Sequence, residues 1–343
     1  MRALVYHGAN HRAWEEKPQP ALRKPTDAII RISKTTICGT DLHIMKGDLP
    51  KVVDGLTLGH EGVGVVVEAG AAVTNFKPGD RVVISCVTSC GKCPECKRGM
   101  PSHCADGGWI LGYLIDGTQA EFVRIPHADG SLHHIPADVT DEEPLVMVSD
   151  ILPTGFECGV LNGCIKPGDT VAIIGAGPVG LSTLLTAQFY APAVIIMVDL
   201  DENRLEVAKT FGATHTVTTN AAAKIMKLTG GKGVDVAIEA VGLPATFQIC
   251  QDIVAAGGHL ANIGVHGRSV ELHLESLWDR NLTLTTRLVD TVTIPLLMKT
   301  VRSGKVKPAQ LITHRFPLNE IMKAYDVFGN AARERALKVI LTN

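Results

Sequence analysis

Four cysteines, Cys90, Cys93, Cys96 and Cys104, stand at spacings of three, three and eight within "SCGKCPECKRGMPSHC", residues 89 to 104. Four thiolates are soft ligands suited to tetrahedral zinc. If all four hold one ion, no position is left for water or substrate. The lobe is therefore expected to carry a structural zinc, and its Gly91, Pro94, Gly99 and Pro101 suit a knuckle better than a core. An iron–sulfur cluster and buried free thiols are the competing readings.

A second motif could bind a dinucleotide. Gly175, Gly177 and Gly180 form "GAGPVG", with Pro178 and Val179 between the last two, directly after the apolar run "DTVAIIG" and before a helical pattern. In that context the glycines permit a tight turn, close approach of a pyrophosphate and close packing of helix on strand. The helix N-terminus adds free N–H groups for phosphate. Asp199 ends the next strand, 19 residues after Gly180. Its carboxylate would accept hydrogen bonds from ribose hydroxyls and repel a 2′-phosphate, which favours NAD over NADP; Arg204 nearby works against that rejection. A third, scattered set offers one sulfur, one nitrogen and one oxygen: Cys38 in "TICGTDLH", His60 in "LGHEG" with Glu61 beside it, and Asp150 in "VMVSDILPTG". Three protein ligands with one exchangeable position is the pattern of a catalytic zinc. Spacing alone does not join these residues.

The elements that must carry these groups fall into two kinds. A chain of 343 residues suggests about two domains. Hydrophobic residues at 45% and charged residues at 20% exclude a disordered chain, and a net charge of −2 gives no reason to expect nucleic acid. The first 150 residues are strand-rich and punctuated by Gly and Pro, with strands expected at 27 to 34, 60 to 69 and after the "KPGD" turn at 77 to 80. From about Lys166 strands and helices alternate: "DTVAIIG", a helix from Pro178 to Tyr190, "AVIIMVDL", the helical "ENRLEVAKTFG", "VDVAIEAVG" and "GHLANIGV". This rhythm implies α/β architecture with a doubly wound parallel sheet. After Arg287 a helix at 294 to 303, a strand at 311 to 316, a helix at 318 to 328 and the strand "ALKVILT" suggest a tail that returns to the first domain.

Residues 170 to 198 carry no formal charge, long enough for a membrane span, but Pro178, Pro192, Ser182, Thr183 and Gln188 fit a buried strand, turn and helix instead. The opening residues lack a signal-peptide pattern, so a cytoplasmic protein is expected. Nine cysteines in a reducing compartment are then ligands or buried thiols rather than a disulfide framework.

"GHEGVGVVVEAG", "KPGDRV", the cysteine lobe, "GAGPVG" and Asp199 occur in the order seen in zinc-dependent medium-chain alcohol dehydrogenases, and the chain resembles the bacterial-type members over nearly its whole length. The resemblance implies a GroES-like β-rich catalytic domain, residues 1–154 and 288–343, interrupted by a Rossmann NAD-binding domain, residues 155–287. It implies an active zinc in the cleft between them, held by Cys38, His60 and Asp150, with Glu61 able to enter the coordination sphere. Thr40 would accept the substrate's hydroxyl proton and His43 carry it towards solvent. Asp41 fits as the acceptor that orients His60. Thr154 would hold the nicotinamide, and Ile263, Gly264, Val265, Arg287 and Leu288 follow sheet strands whose loops reach a cofactor. Trp109 and Leu114 are candidate walls of a substrate pocket.

The implied function is reversible hydride transfer between small primary or secondary alcohols and NAD, with two zinc ions per chain, one catalytic and one structural. Neither membrane nor nucleic acid is expected as a partner, and relatives of bacterial type are commonly tetramers. Within the family, a polyol, formaldehyde or threonine 3-dehydrogenase is the nearest rival: "CGTDLHI" resembles the threonine enzymes, whereas Asp150 in "SDILPTG" resembles the alcohol and formaldehyde branches. A non-catalytic NAD- or zinc-binding protein on the same scaffold is the rival of a different class.

Overall fold

The computed structural model describes residues 1–343, which form two compact units, residues 1–150 with 290–343 and residues 151–289. The first unit begins with β1 (Arg2–Tyr6), β2 (Arg12–Glu16), β3 (Ala28–Thr36), β4 (Leu56–Thr57), β5 (Gly62–Ala69), β6 (Arg81–Ile84), β7 (Phe122–Ile125) and β8 (Leu132–His134). The second unit holds β9 (Thr170–Ile174), β10 (Val194–Val198), β11 (His215–Val217), β12 (Val234–Glu239), β13 (Val254–Asn262) and β14 (Thr283–Thr286). The chain then completes the first unit with β15 (Ile312–Pro317) and β16 (Lys338–Thr342).

In the first unit, β3 alternates inward Ile30 and Ile32 with the exposed Arg31, so one face is buried and register is fixed by the pattern. β3 pairs antiparallel with β5, β7 and β16, making it the centre of a seven-stranded sheet. Ile30, Ile32, Val66, Val82, Ile84 and Val123 pack into one core on this sheet. A second core joins Ile37, Ile44 and Leu58 to Ile321 and Tyr325 of the helix Ile321–Gly329. These cores fix the two segments that carry Cys38 and His60.

The second unit is a six-stranded sheet of order β11-β10-β9-β12-β13-β14, parallel throughout. This is the order 3-2-1-4-5-6 of the Rossmann fold. β9 and β10 are continuous apolar runs because helices cover both faces of a parallel sheet. The helix Pro178–Ala187 starts with Pro at its first turn and is followed by a 3₁₀ turn, Gln188–Tyr190, so the expected single helix divides there. No helix is long and apolar enough to cross a membrane.

Candidate active site and metal centres

Cys38 immediately precedes the helix Gly39–Lys46, and its amide donates to Asp41 Oδ2 at 2.8 Å, an N-terminal cap that fixes the turn. His60 and Glu61 lie just before β5, and Asp150 closes the first segment of this unit. Folding brings one ligand atom from each of Cys38, His60, Glu61 and Asp150 within 4.8 Å of one another. Asp150 Oδ2 is 3.2 Å from His60 Nε2 and 3.9 Å from Cys38 Sγ. The Thr40 hydroxyl lies 3.7 Å from the same sulfur. Sulfur, imidazole and carboxylate converging on one point is a donor set suited to zinc, and buried Glu61 Oε2 has no hydrogen-bond partner, as an oxygen that faces a cation position would not.

Around this set lies a buried polar chain. Tyr325 Oη donates to Gln119 Oε1 at 2.7 Å, and Gln119 Nε2 donates to Asp41 Oδ2 at 3.0 Å. Asp41 Oδ1 stands 4.0 Å from His60 Nδ1, beyond hydrogen-bond distance, and has no other partner. Asp41 therefore caps the helix and faces His60 at once. Gly59 makes room for this arrangement: its φ is +92°, and a Cβ there would come within 2.6 Å of Gln119 Cγ. Glu61 Oε1 is paired with Lys338 Nζ at 2.7 Å, and Lys338 also donates to the Ile37 carbonyl at 3.2 Å.

Electrostatics follow burial. Desolvation raises the Asp41 and Glu61 pKa values, opposed by His60 for the first and by Lys338 for the second. Burial pulls His60 down, but Asp150 and Cys38 outweigh it and raise its pKa well above the ordinary value. Burial, reinforced by Asp150, pushes the Cys86 thiol far up.

His43 lies on the same helix as Thr40, with Nδ1 2.8 Å from Asp48 Oδ2 at a half-exposed position. The Trp109 ring stacks on Tyr113 at 4.5 Å between centroids and stands edge-on to His60 at 6.3 Å, whereas Leu114 is about half exposed. Of these two, Trp109 reaches the ligand cluster.

The cysteine lobe is separate in sequence but belongs to the same unit. Sγ atoms of Cys90, Cys93, Cys96 and Cys104 all lie within 4.8 Å of one another, with no disulfide between them. The amides of Cys90 and Cys96 point at the sulfurs of Cys104 and Cys93, at 3.3 and 3.5 Å. Such N–H···S contacts favour thiolates. Although burial opposes it, hydrogen bonds from the Lys92 and Cys93 amides bring Cys90 down to about 6, whereas burial and the Cys93 thiol push Cys96 up to about 12. Four converging sulfurs fit a tetrahedral zinc with all positions filled.

In the second unit, Gly175 has φ +109°, and a Cβ on Gly180 would collide with the Gly175 carbonyl, so both positions require glycine. At Gly177 the corresponding space is open, with only Arg204 Nη1 at 4.0 Å, which leaves room for a ligand at the N-terminus of the helix Pro178–Ala187. Asp199 follows β10; its Oδ2 accepts from the Ala176 amide at 2.7 Å and its Oδ1 from the Asp201 amide at 2.9 Å. Arg204 lies 3.9 Å from Asp199 and 3.7 Å from Asp201. The fingerprint turn and the acidic residue are thus one bonded assembly. Thr154 opens the π-helix Thr154–Leu161, whose Gly155 packs on Thr183 of the helix Pro178–Ala187. The amides of Ile263 and Gly264 donate to the Glu239 carbonyl at 2.8 and 3.1 Å, and the buried Glu239 carboxylate accepts from the Gly242 amide at 2.9 Å. Val265, at 66% exposure, and Leu288, at 42%, are open to solvent, and Arg287 immediately follows β14.

Comparison with known proteins agrees with this layout. The model for the alcohol dehydrogenase GroES-like domain matches residues 24–137, and that for zinc-binding dehydrogenases matches residues 178–301. An alcohol dehydrogenase of Cupriavidus necator is 36% identical, covering 99% of this chain and 98% of its own length. This chain belongs to the zinc-dependent medium-chain alcohol dehydrogenase family. The fold agrees with that of zinc-dependent alcohol dehydrogenase 2 from Streptococcus pneumonia in its apo form: TM-score 0.95 and 55% identity over 100% of this chain and 98% of that one. The NADP-dependent isopropanol dehydrogenase of Thermoanaerobacter brockii is 34% identical over 99% of each chain. As a member of the alcohol dehydrogenase family the protein is an oxidoreductase, with the α/β architecture of a GroES-like domain and a Rossmann sheet.

Sequence reasoning missed Lys338, Gln119, Tyr325, Cys86 and Asp48 around the site. A lysine inside the apolar run "ALKVIL" was the one local signal, since a charge in a buried strand needs a partner.

Proposed function

We propose that the protein is an NAD-dependent alcohol dehydrogenase that interconverts small primary or secondary alcohols with their aldehydes or ketones. The observation that carries this reading is the convergence of Cys38, His60 and Asp150 with the Thr40 hydroxyl beside the sulfur. When bound, zinc supplies Lewis acidity toward the substrate oxygen and NAD supplies the hydride acceptor.

Cys38, His60 and Asp150 would hold the catalytic metal, with Glu61 as a further oxygen donor kept close by Lys338. Thr40 accepts the hydroxyl proton, and His43, oriented by Asp48, passes it toward solvent. Asp41, whose Oδ1 faces His60 Nδ1 at 4.0 Å, is the carboxylate that would orient the His60 ring by closing to hydrogen-bond distance. Trp109, edge-on to His60, forms one wall for a small substrate. Cys90, Cys93, Cys96 and Cys104 hold the second, structural zinc.

Gly175, Gly177, Pro178, Val179 and Gly180 cradle the pyrophosphate, and Asp199 accepts from the adenosine ribose. Arg204 is within ion-pair distance of two carboxylates, Asp199 and Asp201, so its charge is already partly met and NAD is preferred. Thr154, Ile263, Gly264, Val265, Arg287 and Leu288 complete the cofactor contacts. The functional division is a catalytic domain of residues 1–154 and 288–343 and a cofactor domain of residues 155–287.

A homotetramer is supported by the unpaired edge of β14 and by Trp278 and Leu274, 78% and 59% exposed. Nine unbridged cysteines suit a reducing cytoplasm.

The test is absorbance at 340 nm with NAD and a panel of ethanol, 2-propanol, sorbitol and threonine, with and without a chelator. Chelator-sensitive turnover of the small alcohols is expected. Turnover of sorbitol or threonine alone would move the protein to a neighbouring branch, and none on any substrate would leave a binding protein.

A further inference from the structure

Each of the first two ligands in the Cys38–His60–Asp150 set has a neighbour already considered: Thr40 beside Cys38, and Asp41 facing His60. Asp150 has one that no sequence pattern suggests. Cys86 stands two residues beyond the end of β6 and is 1% exposed. Its Sγ lies 3.5 Å from Asp150 Oδ1, within range for a thiol donating to a carboxylate. Its backbone amide donates to the Ser149 carbonyl at 3.1 Å, so the same residue grips the segment on both sides of the 149–150 peptide bond. Next to it, Ser85 Oγ is 2.7 Å from Thr291 Oγ1, which fixes the Ser85–Cys86 pair against the returning part of the chain.

The two oxygens of Asp150 are thereby distinguished. Oδ2 faces His60 Nε2 and Cys38 Sγ, whereas Oδ1 faces the Cys86 thiol. A carboxylate with two equivalent oxygens on a rotatable stem offers a metal a poorly defined partner. Occupying one oxygen fixes the rotation and leaves the other turned to the ligand set.

We propose that Cys86 is a positioning residue whose thiol holds Asp150 Oδ1, so that Oδ2 is presented to the metal in one orientation. This rests on the reading of Cys38, His60 and Asp150 as a metal site, and it adds a residue that is neither ligand nor proton carrier. A sulfur donor is weak, so what matters is the direction it imposes on the carboxylate.

The test compares the full-length wild type with Cys86→Ser, Cys86→Ala and Cys86→Val. Zinc transfer to a colorimetric chelator is followed, and the visible spectrum is recorded after cobalt replaces zinc at this site. Removing the donor in the alanine and valine variants should weaken retention of this zinc by about ten- to a hundredfold, the usual effect of losing a partner of a metal ligand, and should shift the cobalt d–d bands. Serine keeps a donor and should stay near wild type. The zinc of the cysteine lobe should be held equally by all four proteins, which separates a local effect from general unfolding. Equal retention and identical spectra in every variant would overturn the proposal, as would serine falling with alanine, because volume rather than a donor would then matter. A loss of thiolate-to-cobalt charge transfer in the serine variant would make Cys86 a ligand and overturn it differently. If wild type itself binds no metal at Cys38, His60 and Asp150, the site reading fails and takes this inference with it, a result distinguishable from a wild type that binds and variants that do not differ.

Discussion

Lys338 Nζ lies 2.7 Å from Glu61 Oε1, and each side chain is only 1% exposed. The first residue of the last strand thus supplies the counter-charge for a residue adjoining His60. A buried pair of this kind contributes little beyond what its desolvation costs, but removing one partner strands the other.

Changing Lys338→Met should therefore destabilise the protein by about 3–5 kcal/mol. The double change Lys338→Met with Glu61→Gln should recover much of that loss, since neither charge is then left alone. Urea denaturation of the three proteins checks this, and single and double variants with the same midpoint would show that the ion pair is not what the strand needs.

The cysteine lobe should govern stability rather than chemistry. Cys96→Ala is expected to lose one zinc per chain by elemental analysis and to lower the melting temperature. A variant that keeps its fold and zinc content but loses turnover would mean the roles of the two metal centres are reversed.

Cofactor choice should follow Asp199. Replacing Asp199→Gly removes a carboxylate that repels a 2′-phosphate and also leaves the Ala176 and Asp201 amides without an acceptor. The NADP-to-NAD ratio of kcat/KM should rise by about ten- to a hundredfold, equivalent to about 1.4–2.7 kcal/mol. An unchanged ratio measured with both cofactors would remove Asp199 from the ribose site.

His133, in β8, gives the acid limit a specific contributor. Burial holds its pKa down at about 4, against about 6.5 when free. The unfolded chain then binds the extra proton first as pH falls, so stability is fully present above about pH 6.5 and declines toward pH 4. Over that window the loss from this group is at most on the order of 3–4 kcal/mol. His133→Asn should flatten the pH dependence of the denaturation midpoint between pH 6.5 and 4, and an unaltered slope would assign the acid sensitivity elsewhere.

What could be read from the chain depended on how local the signal was. β9 and β10 are apolar runs ended by Gly175 and Asp199, β12 is apolar but for Asp235 and its terminal Glu239, and the parallel sheet follows from their alternation with helices. β3 was legible from the alternation of Ile30, Arg31 and Ile32, and β5 from its valine-rich run. β14 was not, since its residues Thr283–Thr286 carry one apolar side chain and take their place in the sheet by pairing with β13. β1 and β2 were missed for a related reason: their strand character lies in mutual pairing, and Arg12–Glu16 has no buried position. The π-helix Thr154–Leu161 has no local signature either; its Gly155 and Gly159 serve contacts with Thr183.

The candidate site divides the same way. Cys38, His60, Glu61 and Asp150 were named through motifs and resemblance, and their side-chain atoms meet in the structure. Their supports were not nameable, because Gln119 meets Asp41 across 78 residues and Tyr325 meets Gln119 across 206. A side chain that matters only through a distant partner leaves no trace in spacing.

The position of β16 has a consequence for biosynthesis. The strand that pairs with β3 and carries Lys338 comes 277 residues after Glu61, with the whole second unit lying between. At a translation rate of about 5–20 residues per second, roughly 14–55 s separate the two on the ribosome. The Rossmann sheet can close during that interval, whereas Lys34–Thr36 of β3 wait for the strand that pairs with them and Glu61 for its cation. A nascent chain that has made every proposed catalytic-metal ligand is still, for that time, an unfinished metal site.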